Sequence, residues 1–123
     1  MRVIIAGSRT IRSAQAIEDA MMYSLFTPTI VLSGGQRSWD ETKRCWYGAD
    51  YFGEMWAQAR GIPVDRFEAK WNRYGGMAGP IRNETMVLRA QALVAIWDGI
   101  SSGTADIVRR AKEVGLRVFE WRV

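Results

Sequence analysis

Three turns in this chain place glycine and polar side chains directly after an apolar run. They are Gly7-Ser8-Arg9, Ser33-Gly34-Gly35 and the longer Asp98-Gly99-Ile100-Ser101-Ser102-Gly103-Thr104. Glycine lets backbone N–H groups approach an anion closely, and a helix opening behind such a turn adds its partial positive charge. The hydroxyls of Ser8, Ser101, Ser102 and Thr104 add donors. Arg9 and Arg82 can fork onto a phosphate, and Asn83 follows Arg82. Asp50 and Asp98 could accept from ribose hydroxyls, as an acidic residue does in dinucleotide-binding folds. The chemistry expected is binding of a phosphate-bearing, nucleotide-type ligand. The expected contacts are Gly7, Ser8, Arg9, Gly34, Gly35, Asp50, Arg82, Asn83, Asp98, Gly99, Ser101, Gly103 and Thr104.

Other chemistries are excluded or weakened. There is no histidine and one cysteine, Cys45, so a histidine base, a histidine-ligated metal and an internal disulfide are ruled out. Neither the P-loop sequence nor G-x-G-x-x-G occurs, which argues against P-loop ATP hydrolysis and ordinary NAD-dependent hydride transfer. No metal and no cofactor is expected. A hydrolase would need a carboxylate, and the candidates are Asp98, Asp106, Asp50 and Glu84. Trp39, Trp46, Trp71 and Tyr74 lie in polar segments beside Arg and Lys. Each could stack on a base, a contact worth roughly 1–3 kcal/mol, or simply pack its own segment onto the body. Trp56, Trp97 and Trp121 fall on regular elements and are assigned to the core.

Those residues need a frame. Strand-like and helix-like patterns alternate, which signals a parallel α/β sheet. Arg2 to Ala6 holds Val3, Ile4 and Ile5 in a continuous apolar run, as in a strand covered on both faces. A helix is expected from about Ser13 to Phe26, with Ile17, Met21 and Leu25 on one side and Pro28 ending it. Thr29 to Leu32 is the second strand. Gln36 to Tyr47 fits neither period and reads as a long loop inserted after a presumed phosphate turn, where it could act as a lid. The next helix spans about Asp50 to Arg60 with Phe52, Met55, Trp56 and Ala59 as its stripe; Gly61 and Pro63 stop it. Val64 to Phe67 is a short strand and Glu68 to Ala78 a loop. A helix opens at Gly79-Pro80 and runs to about Gln91. Ala92 to Trp97 is a strand. The last helix carries Ile107, Val108, Ala111 and Val114, is capped by Gly115, and leads into a closing strand, Leu116 to Trp121. Right-handed crossovers then favour five mainly parallel strands in the order 3-2-1-4-5, with helices on both faces and a crevice between the first and fourth.

The chain has 123 residues, room for one domain spanning 1–123, and 48% of them are hydrophobic. No apolar run approaches the roughly 20 residues that span a bilayer, so no membrane partner is expected. The opening MRVIIAGSR reads as a strand rather than a signal peptide, and the cytoplasm is the expected compartment. The formal net charge of +4 suits an anionic ligand. Its spread along the chain argues against duplex DNA.

The stretches MRVIIAGSR, SGG, GAD, WAQARGIPV, KWNRYGGMAGPIRN and WDG-x-S-x-GT cover nearly the whole chain. In them it resembles the YspA-like (YpsA-related) branch of the SLOG superfamily. The resemblance implies a Rossmann-like fold and a nucleotide or nucleotide-derived ligand, such as an ADP-ribose-like or cyclic nucleotide. It also implies a sensor or sequestering role of the kind relatives play in conflict between bacteria and phages. The superfamily includes phosphoribohydrolases of the Lonely Guy type, with an Arg-Lys pair on a helix and PGG-x-GT-x-x-E after a strand. Here Arg82 matches the Arg, Asn83 replaces the Lys, Gly103 and Thr104 match the GT, and Ile107 stands where the catalytic Glu would. The expectation therefore leans towards binding without catalysis. Nucleotide N-glycoside or phosphoribosyl hydrolysis is the alternative, and single-stranded DNA binding, by analogy with DNA-processing relatives, the second alternative. A homo-oligomer is expected because related folds pair through helices.

Overall fold

A computed structural model describes all residues, Met1–Val123. Its centre is β1 (Arg2–Gly7) beside β6 (Ala92–Trp97), paired in parallel from Val3 opposite Ala92 to Gly7 opposite Ile96. Alternate residues of β1 serve opposite faces, the period-two rule of a strand. Val3 and Ile5 join one core cluster, while Ile4 and Ala6 join the other. Both faces are covered, so the run has to be apolar throughout.

On one face lie α1 (Ala14–Ser24) and α2 (Ala49–Ala59). On the other lie α4 (Ala78–Val87) and α5 (Ser102–Glu113). With β2 (Ile30–Ser33), β5 (Val64–Arg66) and β7 (Arg117–Arg122), the main sheet has the order β5-β2-β1-β6-β7. Every pairing in it is parallel. This is the expected 3-2-1-4-5 arrangement, and the winding reverses between β1 and β6. No helix is long and apolar enough to cross a membrane.

Several local expectations are corrected. Residues 36–47 are not a structureless loop. Most of the segment is an antiparallel hairpin of β3 (Ser38–Asp40) and β4 (Cys45–Tyr47), with Trp39 opposite Trp46 and their rings 4.8 Å apart edge-to-face. Asp40 makes the turn by accepting from the Lys43 N–H at 2.9 Å, and it pairs with Arg12. Three-residue strands are too short to show a period. Residues 68–78 contain α3 (Trp71–Tyr74) and a 3-10 turn, Gly75–Met77.

Helix α1 stops at Ser24 rather than at Pro28. The Ser24 hydroxyl donates to the Met21 carbonyl and accepts from the Phe26 N–H. Leu25 then turns left-handed and stands in solvent, so the buried stripe is Ile17, Ala20 and Met21. Helix α4 ends at Val87, short of Gln91, because the Gln91 N–H donates to the Arg2 carbonyl to start β6. In α5 the stripe holds except for Val114, which is exposed at the C-cap. Strand β5 stops at Arg66 and β7 runs to Arg122.

The largest correction concerns α2. Its face on the sheet is Asp50, Gly53, Glu54 and Ala57, while Phe52 and Trp56 are half-buried and Met55 and Ala59 exposed. Gly53 allows this close seat: a Cβ there would lie 2.7 Å from Ile5 Cγ2. Phe52, Trp56 and Trp121 nevertheless pack against the margin of the core, the tryptophans as expected, and Trp97 is half-buried.

Candidate functional site

The turns after β1 and β2 and the N-terminus of α5 open on the same edge of the sheet, as the parallel topology requires. At Gly7 the chain leaves β1 so close to β6 that a Cβ would sit 2.0 Å from the Ile96 carbonyl oxygen. Only glycine allows that crossing, and it delivers Arg9 to the crevice. On the other wall α4 presents Arg82 and Asn83. The floor is Met86 and Ile107, two buried apolar side chains.

The result is a narrow inner cleft of about 70 Å³, reached by Gly7, Arg9, Gly34, Asp50, Arg82 and Thr104 among others. It shares Arg9, Arg82, Asn83, Ser101 and Gly103 with an outer cavity of about 550 Å³. Trp71 and Pro80 line that outer cavity. Ligand sites commonly span roughly 300–1,000 Å³, so the outer cavity is large enough for a nucleoside and the inner one for a small polar group.

Arg82 is half-buried, and its guanidinium donates to the Gly34 carbonyl at 2.8 Å and to Asn83 Oδ1 at 2.9 Å. Five donors are available on a guanidinium, so three stay open. Neither Arg82 nor Arg9 belongs to any ion pair in the molecule. Burial holds the Arg82 pKa below its usual value, Asp50 opposes that, and Arg9 adds to it. Two cations that belong to no ion pair thus face one cleft, which they share with Asp50.

Asp50 is 7% exposed and accepts from the Gln36 N–H at 3.0 Å. Burial pushes its carboxyl up to about 6; the Gln36 amide, Arg82 and Arg9 pull it down, and Glu54 pushes it further up. Glu54, one turn along the same face of α2, is 2% exposed. It accepts from the Ser33 hydroxyl at 2.6 Å and from Arg37 at 3.2 Å, and pairs with Arg66. Burial alone would raise Glu54, but Arg66 and Ser33 outweigh it and leave the carboxyl below its usual range.

The folded state therefore binds the Asp50 proton more tightly than the unfolded state does. Between about pH 4 and pH 6 the folded chain carries more protons, so stability falls as pH rises through that window, by roughly 3 kcal/mol in all. Glu54, Asp98 and Asp40, all lowered, act in the opposite sense, with gains complete once pH passes their ordinary values of about 4, so the Asp50 decline stands alone above about pH 5. Urea midpoints taken every half unit from pH 4 to 7 should show the decline, and Asp50→Asn should flatten it. A wild-type profile that is flat or rising between about pH 5 and 6.5 would contradict the buried, proton-holding Asp50.

Several expected contacts do other work. Ser8 is buried: its N–H donates to Ile96, its hydroxyl accepts from the Asp98 N–H, and its carbonyl accepts from Ala49. It ties β1 to β6 and α2. Asp98 holds its own turn, accepting from the Ile100 and Ser101 N–H groups at 2.8 and 2.9 Å. Those bonds, Ser101 first, keep its carboxyl low. Gly99 turns with φ +84° against Arg122, and Gly35 with φ +72° against Arg66; neither lines the cleft. Asp106 lines the outer cavity but is occupied by Asn83, Arg109 and Arg110. Glu84 pairs with Arg110 at 2.8 Å outside the cleft. Trp71 lines the outer cavity, Tyr74 a neighbouring one, and Trp39 and Trp46 reach neither. Of residues 36–47 only Gln36 lines the cleft, so the hairpin does not cover it.

Gln36 and Glu54 were not among the expected residues. For Glu54 a signal existed, since it lies four residues after Asp50 and so on the same helical face. Compared with known proteins, the chain matches no family model, no curated protein and no solved structure.

Proposed function

We propose that the protein binds a phosphate-bearing, nucleotide-derived small molecule in the crevice between β1 and β6, as a sensor or sequestering protein. The observation that carries this reading is the pair of arginines, Arg9 and Arg82, that face one cleft and belong to no ion pair, with the buried Asp50 the one carboxylate of its inner wall. Guanidinium donors held in place bind phosphate strongly and with directionality. The open N-terminal turn of α5, with Ser101 and Gly103 lining the same cleft, adds donors and partial positive charge. The motif resemblance to the SLOG superfamily points to the same ligand class and to a role in conflict between bacteria and phages.

One observation favours hydrolysis as a second reading. Asp50 lines the inner cleft with its carboxyl pushed up to about 6, a value suited to proton transfer near neutrality. The other carboxylates named for that role are occupied or outside the cleft. Against it, Ile107 puts an apolar side chain on the cleft floor at the position where the hydrolases carry glutamate.

The test is a panel of AMP, ADP-ribose, NAD and cyclic dinucleotides, read by thermal shift and then by chromatography of the same samples. A ligand at about 100 times its Kd stabilises by roughly 2.7 kcal/mol. A shift with the ligand recovered intact is the expected result. Free base or ribose phosphate, abolished by Asp50→Asn, would establish the second reading instead. No shift and no product across the panel would overturn both.

A further inference from the structure

A second cavity, of about 420 Å³, lies between the segment leaving β5 and the outward side of α4. It is as strongly cationic as the main cleft and more aromatic. Arg66, Lys70, Arg82 and Arg89 line it, with Phe67 and Tyr74 among its walls. Its acid is Glu68, which is turned mostly to solvent and pairs with Arg66 at 3.5 Å. Lys70 and Arg89 belong to no ion pair. The Arg89 guanidinium stands 5.7 Å from the centre of the Phe67 ring, which leaves its fork free for an anion.

The geometry of α4 explains why there are two cavities. Ile81 and Thr85, four residues apart on α4, and Arg89, in the turn just past its end, line the second cavity, while Asn83 and Met86 line the inner cleft. Successive residues on a helix turn by about 100°, so one helix can wall both spaces. Arg82 sits at the join and lines both.

We propose that this second cavity is an anion subsite continuous with the main cleft, and that it makes the protein selective for nucleotides carrying two separate phosphate groups over mononucleotides. One phosphate lies on Arg9, Arg82 and the α5 turn. The second lies on Lys70 and Arg89, with its nucleoside against Phe67 or Tyr74. This inference rests on the reading of the main cleft as a nucleotide site.

The experiment is calorimetric titration at fixed salt and pH with two probes, AMP and a linear diadenylate that carries a terminal phosphate and so has two phosphates in all. The diadenylate should bind wild type about tenfold more tightly or better, the gain expected of one added charge-assisted contact. The double variant Lys70→Ala/Arg89→Ala should lose that advantage and keep its AMP affinity. Arg9→Ala should weaken both probes. Both changed residues of the double variant are exposed, so folding should survive, as an unchanged melting temperature would show. AMP binding with no advantage for the diadenylate would overturn the subsite and leave the main site standing. So would an advantage that survives the double variant. Failure of both probes to bind would overturn the nucleotide reading and the subsite together.

Discussion

Replacing Arg82 with alanine is expected to weaken binding of AMP or a related nucleotide by roughly 10- to 100-fold, the usual worth of a hydrogen bond to a charged group. Arg82 is placed for this by its own bonds. Gly34 and Asn83 each take one of its donors and hold the guanidinium plane across the cleft. A lysine at this position would keep the charge but not the fork, so Arg82→Lys should recover only part of the loss. The change also acts on Asp50, because Arg82 is among the cations that pull its carboxyl down. Without that charge the Asp50 pKa should rise further, and the decline of stability with pH should extend above pH 6. Titration calorimetry of the three proteins, with urea midpoints against pH, reads both effects. Unchanged affinity in Arg82→Ala would remove the inner cleft as the phosphate site.

The second large effect is on folding. Gly7→Ala is expected to destabilise the protein by roughly 3 kcal/mol or more, the upper end of what overpacking costs. The added Cβ would lie 2.0 Å from the Ile96 carbonyl oxygen and 2.9 Å from the Ala49 Cβ. That carbonyl accepts the Ser8 N–H at 3.0 Å, so relief requires pulling β1 from β6 at the centre of the sheet. Gly34→Ala makes the informative contrast. Its Cβ would meet the Arg82 guanidinium at 2.5 Å and an Asp50 oxygen at 2.9 Å, both at the far ends of side chains. Those can move, so the cost should fall on ligand affinity more than on stability. Denaturant unfolding of both variants separates the two cases; equal destabilisation would mean that the crossing at Gly7 has no special constraint.

Much of the frame was legible in the residues. Val3 to Ala6 and Ala92 to Ile96 are apolar without interruption because they are covered on both faces, and their helices begin and end near recognisable signals. Ser13 accepts from the Ala16 N–H as the N-cap of α1, and Gly61 and Gly115 turn with positive φ after α2 and α5. Where the reading failed, short-range signals were outweighed by packing. The apolar residues of α2 invited a stripe through Phe52, Met55 and Trp56. Phe52 and Trp56 do pack at the core margin, but the fully buried face runs through Asp50, Gly53, Glu54 and Ala57, because small residues permit a close seat and Arg66 and Ser33 satisfy Glu54 there. The Trp39–Trp46 hairpin was invisible because its pairing links residues seven apart across strands of three.

The site divided in the same way. By itself the sequence determined the order of the strands and the edge of the sheet at which its glycine turns meet, because parallel strands joined by right-handed crossovers bring all those turns to one side. It also determined that no histidine or thiol cluster could do the chemistry. Only the tertiary structure decided which polar residues of those turns face the cleft. Ser8 and Asp98 are consumed in holding β1, β6 and α5 together, whereas Arg9 and Arg82 are left outside any ion pair. That choice depends on the path of the chain out of each strand and on which partners lie within hydrogen-bond reach. Both are set by contacts between residues far apart in the chain, such as Ser8 with Asp98 and Gly34 with Arg82.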